Sequence, residues 1–540
     1  MYLSSAPHTP TPITPDHQQR NPPTSETPPD QTPFSCSRPQ HQQQCVVPPV
    51  IIPTDVNPPK LDVVKTVQAL ESLHTLLKSR QVSDDPYFSF QMSVSGDGQL
   101  EGLAVCVHGQ YGPGIFYVTI LGNTDEPEET LRHRAMLLLA DTSIAKVTFC
   151  LKDQLVSLSH HVDVVHVTDV LLEAWLLNPD DHVIDCKNTN LGGKVRILEG
   201  LLERRGAAKE VTEVHAVLAQ FRDARTTSSN VGEREKMAVK QAALALLYHR
   251  AIQTHIRARR GQVPLRESEM PLVPVLARME MTGMAVDLRI IQQQLLSGTR
   301  ARTRLEEKAL QAVPSWIRYT QPSSVSIDLR SPQRVSHLLY RQLSLPTPPT
   351  VKISPHGHLS VKEVDLKQLR GLHPVVSMIL AHRRIYTQLD AMQQLMSSSG
   401  LKADRDTDGG GHDDGCTTAR VHASFQQTES ATGRVIVTAP SLQNIPGPVM
   451  IGSTNNGQES YDIRAAFVAP PGYCIMRADY CQVELRMIAH FSGDRALWLA
   501  LCKSAVDPFV ALASNWKKIA PNQVNKNTKT NREKRTEEAT

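Results

Sequence analysis

An acidic residue at the end of an apolar run is the strongest candidate for chemistry in this 540-residue sequence. Residues 472–493 read GYCIMRADYCQVELRMIAHFSG, in which Asp479 follows the apolar run 474–476. We predict that this run is a buried strand and that the carboxylate stands at the edge of a sheet, where α/β proteins hold their sites. From Gln482 onward the apolar residues recur at helical spacing, which predicts an amphipathic helix carrying Glu484 beside the acid.

The segment 479–486 reads DYCQVELR. It closely resembles motif A of the family A DNA polymerases, usually DYSQIELR, with Cys481 in place of the serine. The resemblance implies template-dependent addition of deoxynucleotides to a primer 3′ end, with primer-template DNA and deoxynucleoside triphosphates as partners. Such phosphoryl transfer depends on metal ions that neutralise charge on the attacking and leaving oxygens, so the implied cofactor is Mg²⁺.

The same resemblance implies roles for four residues of the motif. Asp479 would be catalytic and would bind the metal, with the carbonyl of Tyr480 as a further ligand. Gln482 and Glu484 would bind the incoming nucleotide. Glu484, also implied to be catalytic, would lie beneath the sugar and leave no space for a 2′-hydroxyl. Taken alone, Glu484 and Arg486 would be interpreted as a solvated pair on a helix.

A second segment, HASFQQTESATGRVIVTAPSLQNIPG at 422–447, resembles the family pattern QT-x-TATGRLSS-x-x-PNLQNIP. The resemblance implies that Arg434 and Gln443 read the minor groove at the primer terminus, and Asn444 keeps its place beside them. Contacts with acceptors common to every base pair can check pairing without reading base sequence. The usual serines after the arginine are replaced by Ile and Val at 436–437, a change that would weaken the grip on the primer end.

The implied fold class is a multidomain α/β protein: a degenerate 3′–5′ exonuclease-like (ribonuclease H-like) α/β domain, a helical thumb and the first part of a polymerase palm, preceded by a disordered leader. The leader is 1–60 and the exonuclease-like domain is 61–262. The thumb is 263–418 with a polar loop at 397–418, the palm part is 419–518, and a divergent polar tail is 519–540. The leader is rich in Pro, Gln, Ser and Thr, so it cannot bury enough apolar surface to become ordered. It could bind repair-protein partners, although a solvated tail is the simpler interpretation.

Residue periodicity predicts the elements of the first domain. Alternation and turn residues predict four strands, and helical period predicts three helices. The predicted strands are 87–94, 103–109, 114–121 and 145–150, and the predicted helices are 63–77, 169–177 and 236–256.

The exonuclease resemblance fails where the chemistry would be. The family's D-x-E falls on Gln91 and Ser93, and its Y-x-x-x-D falls on Met237 and Gln241. Asp169 opens a helix and is predicted to cap it rather than bind metal. Two-metal hydrolysis requires paired carboxylates. We therefore predict no exonuclease residues and no proofreading.

Two further resemblances concern DNA binding and lineage. Arg383 lies where the family places a thumb arginine that approaches the template-primer backbone, and a solvated helix charge is an equal alternative. The stretch VDPFVALASNWKK at 506–518 resembles the vertebrate branch that contains DNA polymerases nu and theta, and the chain looks closer to nu. That branch implies DNA repair or damage tolerance in the nucleus.

Composition sets wider limits. The net charge of +4 is too small to indicate nucleic-acid binding by itself. The nine cysteines include no C-x-x-C pair, which argues against a zinc module and favours reduced thiols inside a cell. Residues 1–16 lack a secretory signal, and no apolar run is long enough to span a bilayer, so no membrane partner is expected.

Half of the polymerase site is missing from the sequence. The fingers pattern R-x-x-x-K-x-x-x-[FY]G and the later H-D-E with the second metal acid do not occur. Arg532 could begin the fingers helix and bind nucleotide, but Thr536 stands where its lysine belongs. We expect a truncated product that is inactive as given. The alternative is a non-catalytic DNA-binding or regulatory isoform, whereas Gln91, Ser93 and Gln241 argue against an active exonuclease.

Overall fold

The computed structural model describes most of the chain between residues 61 and 503. The described residues are 61–79, 86–109, 112–121, 126–158, 162–180, 191–204, 232–258, 261–315, 328–349, 351–398, 401–403, 418–454, 457–470, 472–503 and the single positions 124, 509, 510, 514, 516, 518 and 520. The predicted leader, most of the predicted loop at 397–418 and the tail from 521 onward lie outside them. No helix in the described ranges is long and apolar enough to cross a membrane.

A six-stranded mixed sheet forms the centre of the N-terminal part. Its strands, in the spatial order β1-β4-β3-β2-β5-β6, are β1 (Leu61–Val64), β2 (Tyr87–Val94), β3 (Leu100–Gly109), β4 (Gly112–Thr119), β5 (Ala145–Thr148) and β6 (Val167–Asp169). β3 pairs antiparallel with β2 and β4, whereas β1–β4, β2–β5 and β5–β6 are parallel. The four predicted strands are confirmed. The helix predicted at 63–77 begins only at Val67, because Val64 pairs with Val118 in the sheet.

Helices cover both faces of this sheet. They are α1 (Val67–Ser79), α2 (Glu128–Ala140), α3 (Leu151–Ser157), α4 (Val170–Leu177), α5 (Leu191–Glu203) and α6 (Glu233–Ala258). In β3, Leu103 and Val105 enter the core shared with α1 and α2, while Ala104 and Cys106 enter the core shared with α4 and α6. Successive side chains of a strand point to opposite faces, so a strand buried on both faces reads as a continuous apolar run.

Helix α7 (Met270–Thr282) packs against α3 and leads into a second sheet. In that sheet β9 (Thr418–Val421) pairs antiparallel with both β7 (Met284–Asp287) and β8 (Leu401–Ala403). Strands from both sides of the predicted boundary at 418 therefore share one sheet. The loop predicted at 397–418 is wrong at 401–403, because these backbone groups find hydrogen-bond partners along the edge of β9.

Two long helices form the middle of the chain, where the resemblance implies a helical thumb. They are α8 (Leu288–Ala312) and α11 (Pro374–Ser397), with the short helices α9 (Pro332–Ser336) and α10 (Glu363–Gln368) between them. Helices α8 and α11 pack against each other. Val335, Leu366 and Ile379 share one buried core, which holds the short helices to α11.

The C-terminal part contains two small hairpins and two helices. The elements are β10 (Ser424–Gln426) with β11 (Ile436–Thr438), β12 (Val449–Thr454) with β13 (Gly457–Tyr461), α12 (Val483–Ser492) and α13 (Arg495–Lys503). The helix predicted after Gln482 is confirmed. The strand predicted at 474–476 is wrong, since residues 473–480 form no strand and all are exposed. No described strand lies alongside to accept their backbone hydrogen bonds or to bury their side chains.

Candidate functional site

Arg434 and Glu484 are two predicted site residues that the structure brings into direct contact. Nη2 of Arg434 donates a hydrogen bond to Oε1 of Glu484 at 2.9 Å. Arg434 lies in the connection between β10 and β11, and Glu484 lies in the first turn of α12. The two side chains are 72% and 66% exposed, so the pair adds little stability and both groups remain accessible to a ligand.

A tight turn fixes where the Arg434 side chain leaves the backbone. The amide of Gly433 donates to the carbonyl of Ser430 at 3.1 Å. Gly433 has a φ of +75°, a conformation that glycine adopts without a steric penalty. The hydroxyls of Ser430 and Thr432 lie 2.8 Å apart and close the turn from its exposed side.

Asp479 and Tyr480 lie in the exposed segment that precedes α12. Tyr480 is 83% exposed, and Asp479 is exposed as well. The Asp479 carboxylate forms no hydrogen bond or ion pair with any other described residue. The prediction that this acid stands at a sheet edge is therefore wrong, for the same reason that its strand is absent.

The donor atoms of this region meet only part of what a divalent cation requires. Asp479 and the Tyr480 carbonyl offer oxygen ligands, which Mg²⁺ prefers. Glu484 is already engaged by Arg434. Across the described ranges, no group of three or more His, Cys, Asp or Glu side chains could hold a metal ion. These residues alone do not form a two-metal site, and no step through a metal follows from their geometry.

Gln482 joins the exposed segment to α12. Its φ of +53° is uncommon for a residue other than glycine. The side chain of Arg486 donates to the carbonyl of Cys481 at 2.8 Å and to that of Leu501 at 3.3 Å. Arg486 therefore ties the start of α12 to α13, and is not the solvated partner of Glu484.

Gln443 and Asn444 lie in a 3-10 turn and are engaged within the protein. The side-chain amide of Gln443 donates to the carbonyl of Val435 at 2.7 Å and accepts from the amide of Val437 at 3.1 Å. Asn444 donates to the hydroxyl of Ser441 at 2.9 Å. Gln443 thus holds the strand that follows Arg434, and its exposed amide keeps a second N–H and a second oxygen lone pair for other contacts.

Arg383 of α11 is half-buried rather than solvated. Its guanidinium donates to the carbonyl of Val361 at 2.5 Å, and burial lowers the pKa of the side chain. The neighbouring Arg384 is exposed and pairs with Glu363 at 2.9 Å. Of these two cations, Arg384 is the more accessible.

The positions where the exonuclease motifs would fall lie in β2 and in helix α6. Gln91 and Ser93 are buried, and Gln241 is fully buried in α6. The side-chain amide of Gln154 donates to the Gln91 side-chain oxygen at 3.2 Å and to the Thr148 hydroxyl at 2.8 Å. The Ser93 hydroxyl donates to Oε2 of Glu101 at 3.3 Å. Amide and hydroxyl side chains thus occupy positions where catalysis would need paired carboxylates.

Asp169 caps a helix, as predicted. Its carboxylate accepts from the amide of Leu171 at 2.9 Å, at the start of α4. It also accepts from the amides of Cys150 and Leu151, at the start of α3. Burial raises its pKa to about 6 despite these bonds. The second helix that it caps is not evident from the sequence, because the amides lie 18 and 19 residues upstream.

The C-terminal part of the chain, which contains this candidate site, is similar to known DNA polymerases. Residues 300–536 match the family model of DNA polymerase family A. That range is similar to family A DNA polymerases, and we call it the family A region. The region contains Arg383, Arg434, Gln443, Asn444 and the segment 479–484. Its matched range also includes Arg532, which lies outside the described residues.

Bacterial relatives extend the match beyond the family A region. The chain is 31% identical over 271 residues to a thermostable DNA polymerase I of Thermus caldophilus, covering 49% of this chain and 28% of that protein. It is 30% identical over 340 residues to the thermostable DNA polymerase I of Thermus thermophilus, covering 62% of this chain and 32% of that protein. The chain thus spans about a third or less of these relatives.

A solved structure has a similar fold over most of this chain. It is described as the POL domain of Pol1 from M. smegmatis in complex with DNA primer-template and dNTP. The TM-score is 0.60 at 21% identity, and the likeness covers 89% of this chain and 70% of that one. The chain therefore has a mixed α/β, polymerase-like fold.

Proposed function

We propose that this chain forms part of a template-dependent DNA polymerase that adds deoxynucleotides to a primer 3′ end. The observation that carries the proposal is the contact of Arg434 with Glu484, close in sequence to the exposed Asp479. All three residues lie in the range that matches DNA polymerase family A. The likeness to a polymerase domain described with DNA primer-template and dNTP supports the same conclusion.

The proposed roles follow from exposure and charge. Arg434 contacts the minor groove at the primer end, and its withdrawal frees Glu484 to lie beneath the incoming sugar. Asp479, with the Tyr480 carbonyl, binds a divalent cation, for which we propose Mg²⁺, and Gln482 faces the nucleotide. When bound, that cation would neutralise charge on the reacting phosphate oxygens.

The proposal extends to the rest of the chain. The six-stranded sheet unit is a degenerate exonuclease-like domain that does not proofread, because the matching positions Gln91 and Ser93 carry an amide and a hydroxyl. The motif at 506–518 supports a nu-like enzyme of DNA repair or damage tolerance, acting in the nucleus. Partners of the segment 1–60 would then be repair proteins.

Primer-template binding tests this proposal. Fluorescence anisotropy at several salt concentrations should give salt-sensitive, sequence-indifferent binding. About two to four phosphate contacts are expected, each adding about 0.9 to the slope of log affinity against log salt. Arg434→Ala should weaken binding about tenfold. Asp479→Ala should leave binding equal or slightly tighter, because it removes a negative charge that would face DNA.

Arg266→Ala is the matched control for the arginine substitution, because Arg266 is exposed and lies outside the family A region. This variant should bind primer-template as the unchanged chain does. Binding that ignores salt, or that prefers one base sequence strongly, would contradict a polymerase cleft.

A further inference from the structure

One side chain of the six-stranded sheet unit contacts the turn that precedes Arg434. We call residues 430–433 the Arg434 turn. Nε1 of Trp175, in α4, donates to the carbonyl of Ser430 at 3.2 Å, across 255 residues of sequence. The same carbonyl accepts the amide of Gly433, so both of its lone pairs are used. A Cβ built on Gly433 would lie 3.6 Å from Cη2 of Trp175, which shows that the indole ring packs along the turn.

Trp175 is itself held firmly. It is only 6% exposed and belongs to the core formed by α4, α5, α6 and one face of the sheet, with Val170, Ala174 and Tyr248 as fellow members. A large ring in a close-packed core has few alternative rotamers. Its N–H therefore points in a direction set by the sheet unit.

The chain before the turn is held from the same side. The amide of Phe425 donates to Oε1 of Glu280 in α7 at 2.6 Å. The side-chain amide of Gln427 donates to the carbonyl of Glu269 at 2.9 Å. Together with Trp175, these contacts attach residues 425–433 at three points to parts of the chain that lie before the family A region. Arg434 is the next residue and projects outward.

We propose that Trp175 is a positioning residue for Arg434, acting through the backbone of the Arg434 turn. The inference rests on the proposed function, in which Arg434 contacts the primer end. A turn that is already held in place loses less conformational entropy when DNA binds. The sheet unit, which has no paired carboxylates at its predicted exonuclease positions, would thus contribute to primer binding through one indole N–H.

A double-mutant cycle on the full 540-residue chain tests the inference. Trp175→Phe keeps a ring in the core but removes the donor, and it should weaken primer-template affinity about threefold to tenfold in anisotropy titrations. In an Arg434→Ala background the same substitution should change affinity less than about twofold, because the effect passes through Arg434. An equal loss of affinity in both backgrounds would overturn the inference, since general destabilisation acts independently of Arg434.

Gly433→Ala changes the turn itself, and its Cβ would lie at an ordinary contact distance of 3.6 Å from Trp175, so the core stays intact. The +75° φ strains any residue with a Cβ, so this variant should also lose affinity, and only when Arg434 is present. Trp498→Phe is the matched control, because Trp498 is 51% exposed and lies in α13. Its affinity should equal that of the unchanged chain. A loss as large as that of Trp175→Phe would contradict the inference.

Amide hydrogen exchange without DNA separates this inference from the proposed function. Trp175→Phe should speed exchange of the Gly433 amide by about threefold to tenfold. The Ser430 carbonyl, which accepts this amide, would lose the hydrogen bond from Trp175 that holds it in place. If Arg434→Ala leaves DNA binding unchanged, the role proposed for Arg434 fails, and faster exchange would still support the anchoring. Unchanged exchange would overturn the anchoring itself.

Discussion

The Asp169 carboxylate accepts hydrogen bonds from the first turns of two helices, yet it is fully enclosed. Burial raises its pKa from 3.8 to about 6, so the folded chain holds a proton that the unfolded chain releases near pH 4. Between these values the folded state binds more protons than the unfolded state. The contribution of this residue to the free energy of unfolding therefore falls as pH rises from about 4 to about 6.

Replacement of Asp169 by Asn should remove that dependence. From pH 4 to pH 6, the free energy of unfolding of the unchanged chain should fall relative to Asp169→Asn by about 2 to 3 kcal/mol. Urea unfolding at half-unit pH intervals measures this difference. Parallel profiles for Asp169→Asn and the unchanged chain would contradict the assignment.

Between elements, an ion pair joins α3 to α7. Nζ of Lys152 contacts Oε1 of Glu280, and the two side chains are only 12% and 9% exposed. The same carboxylate accepts the amide of Phe425, so one acid joins α3, α7 and β10. Removing one member of a buried pair leaves the other charge without compensation.

Glu280→Ala should therefore lower the free energy of unfolding by about 2 to 4 kcal/mol. Glu267→Ala is the matched control, because Glu267 pairs with Arg266 on the surface and should cost less than about 0.5 kcal/mol. Thermal and urea unfolding of both variants measure the contrast. Equal stability of the two variants would show that the Lys152 contact is not a structural link.

The same elements show what a sequence can predict. Strands β2 to β4 were recoverable because β-branched and aromatic runs are separated by Gly-containing turns, and those signals are local. The strand predicted at 474–476 is wrong because a strand needs a second strand to pair with. Whether a distant segment supplies that partner cannot be read from the local sequence. Phe491 makes the same point: its spacing fits the apolar face of α12, but it is 77% exposed.

The candidate site also has features that the sequence predicts and features that it does not. The types and order of Arg434, Glu484 and Asp479 could be read from motifs. The salt bridge between Arg434 and Glu484 could not, because 50 residues separate them and nothing local fixes their distance. Trp175 and Ser430 are even further apart in sequence. The apolar helix DVLLEAWLL gives no sign that its indole will contact a distant turn.

At the scale of the whole molecule, a polypeptide of residues 1–540 should neither lengthen nor shorten a primer. Its sequence supplies one acid of the two-metal arrangement for synthesis and no pair for hydrolysis. Incubation of end-labelled primer-template with deoxynucleotides and Mg²⁺, resolved on a denaturing gel, measures both reactions. The DNA polymerase I of Thermus thermophilus serves as the positive control for extension.

Two results would contradict this expectation. Template-dependent extension that Asp479→Ala abolishes would show that one acid suffices. Shortening of mismatched primers that Gln91→Ala abolishes would show that the sheet unit is a working exonuclease.

The pairing of β7 with β9 also affects the order in which parts of the chain can fold during synthesis. About 130 residues lie between these two strands, and a ribosome adding roughly 5 to 20 residues per second needs roughly 7 to 26 seconds to make them. Every strand of the six-stranded sheet precedes β7 in the sequence, so that unit can fold first. β7 stays unpaired until β9 has been made. β7 is only four residues long, and so short an edge gives a neighbouring nascent chain little to pair with during the delay.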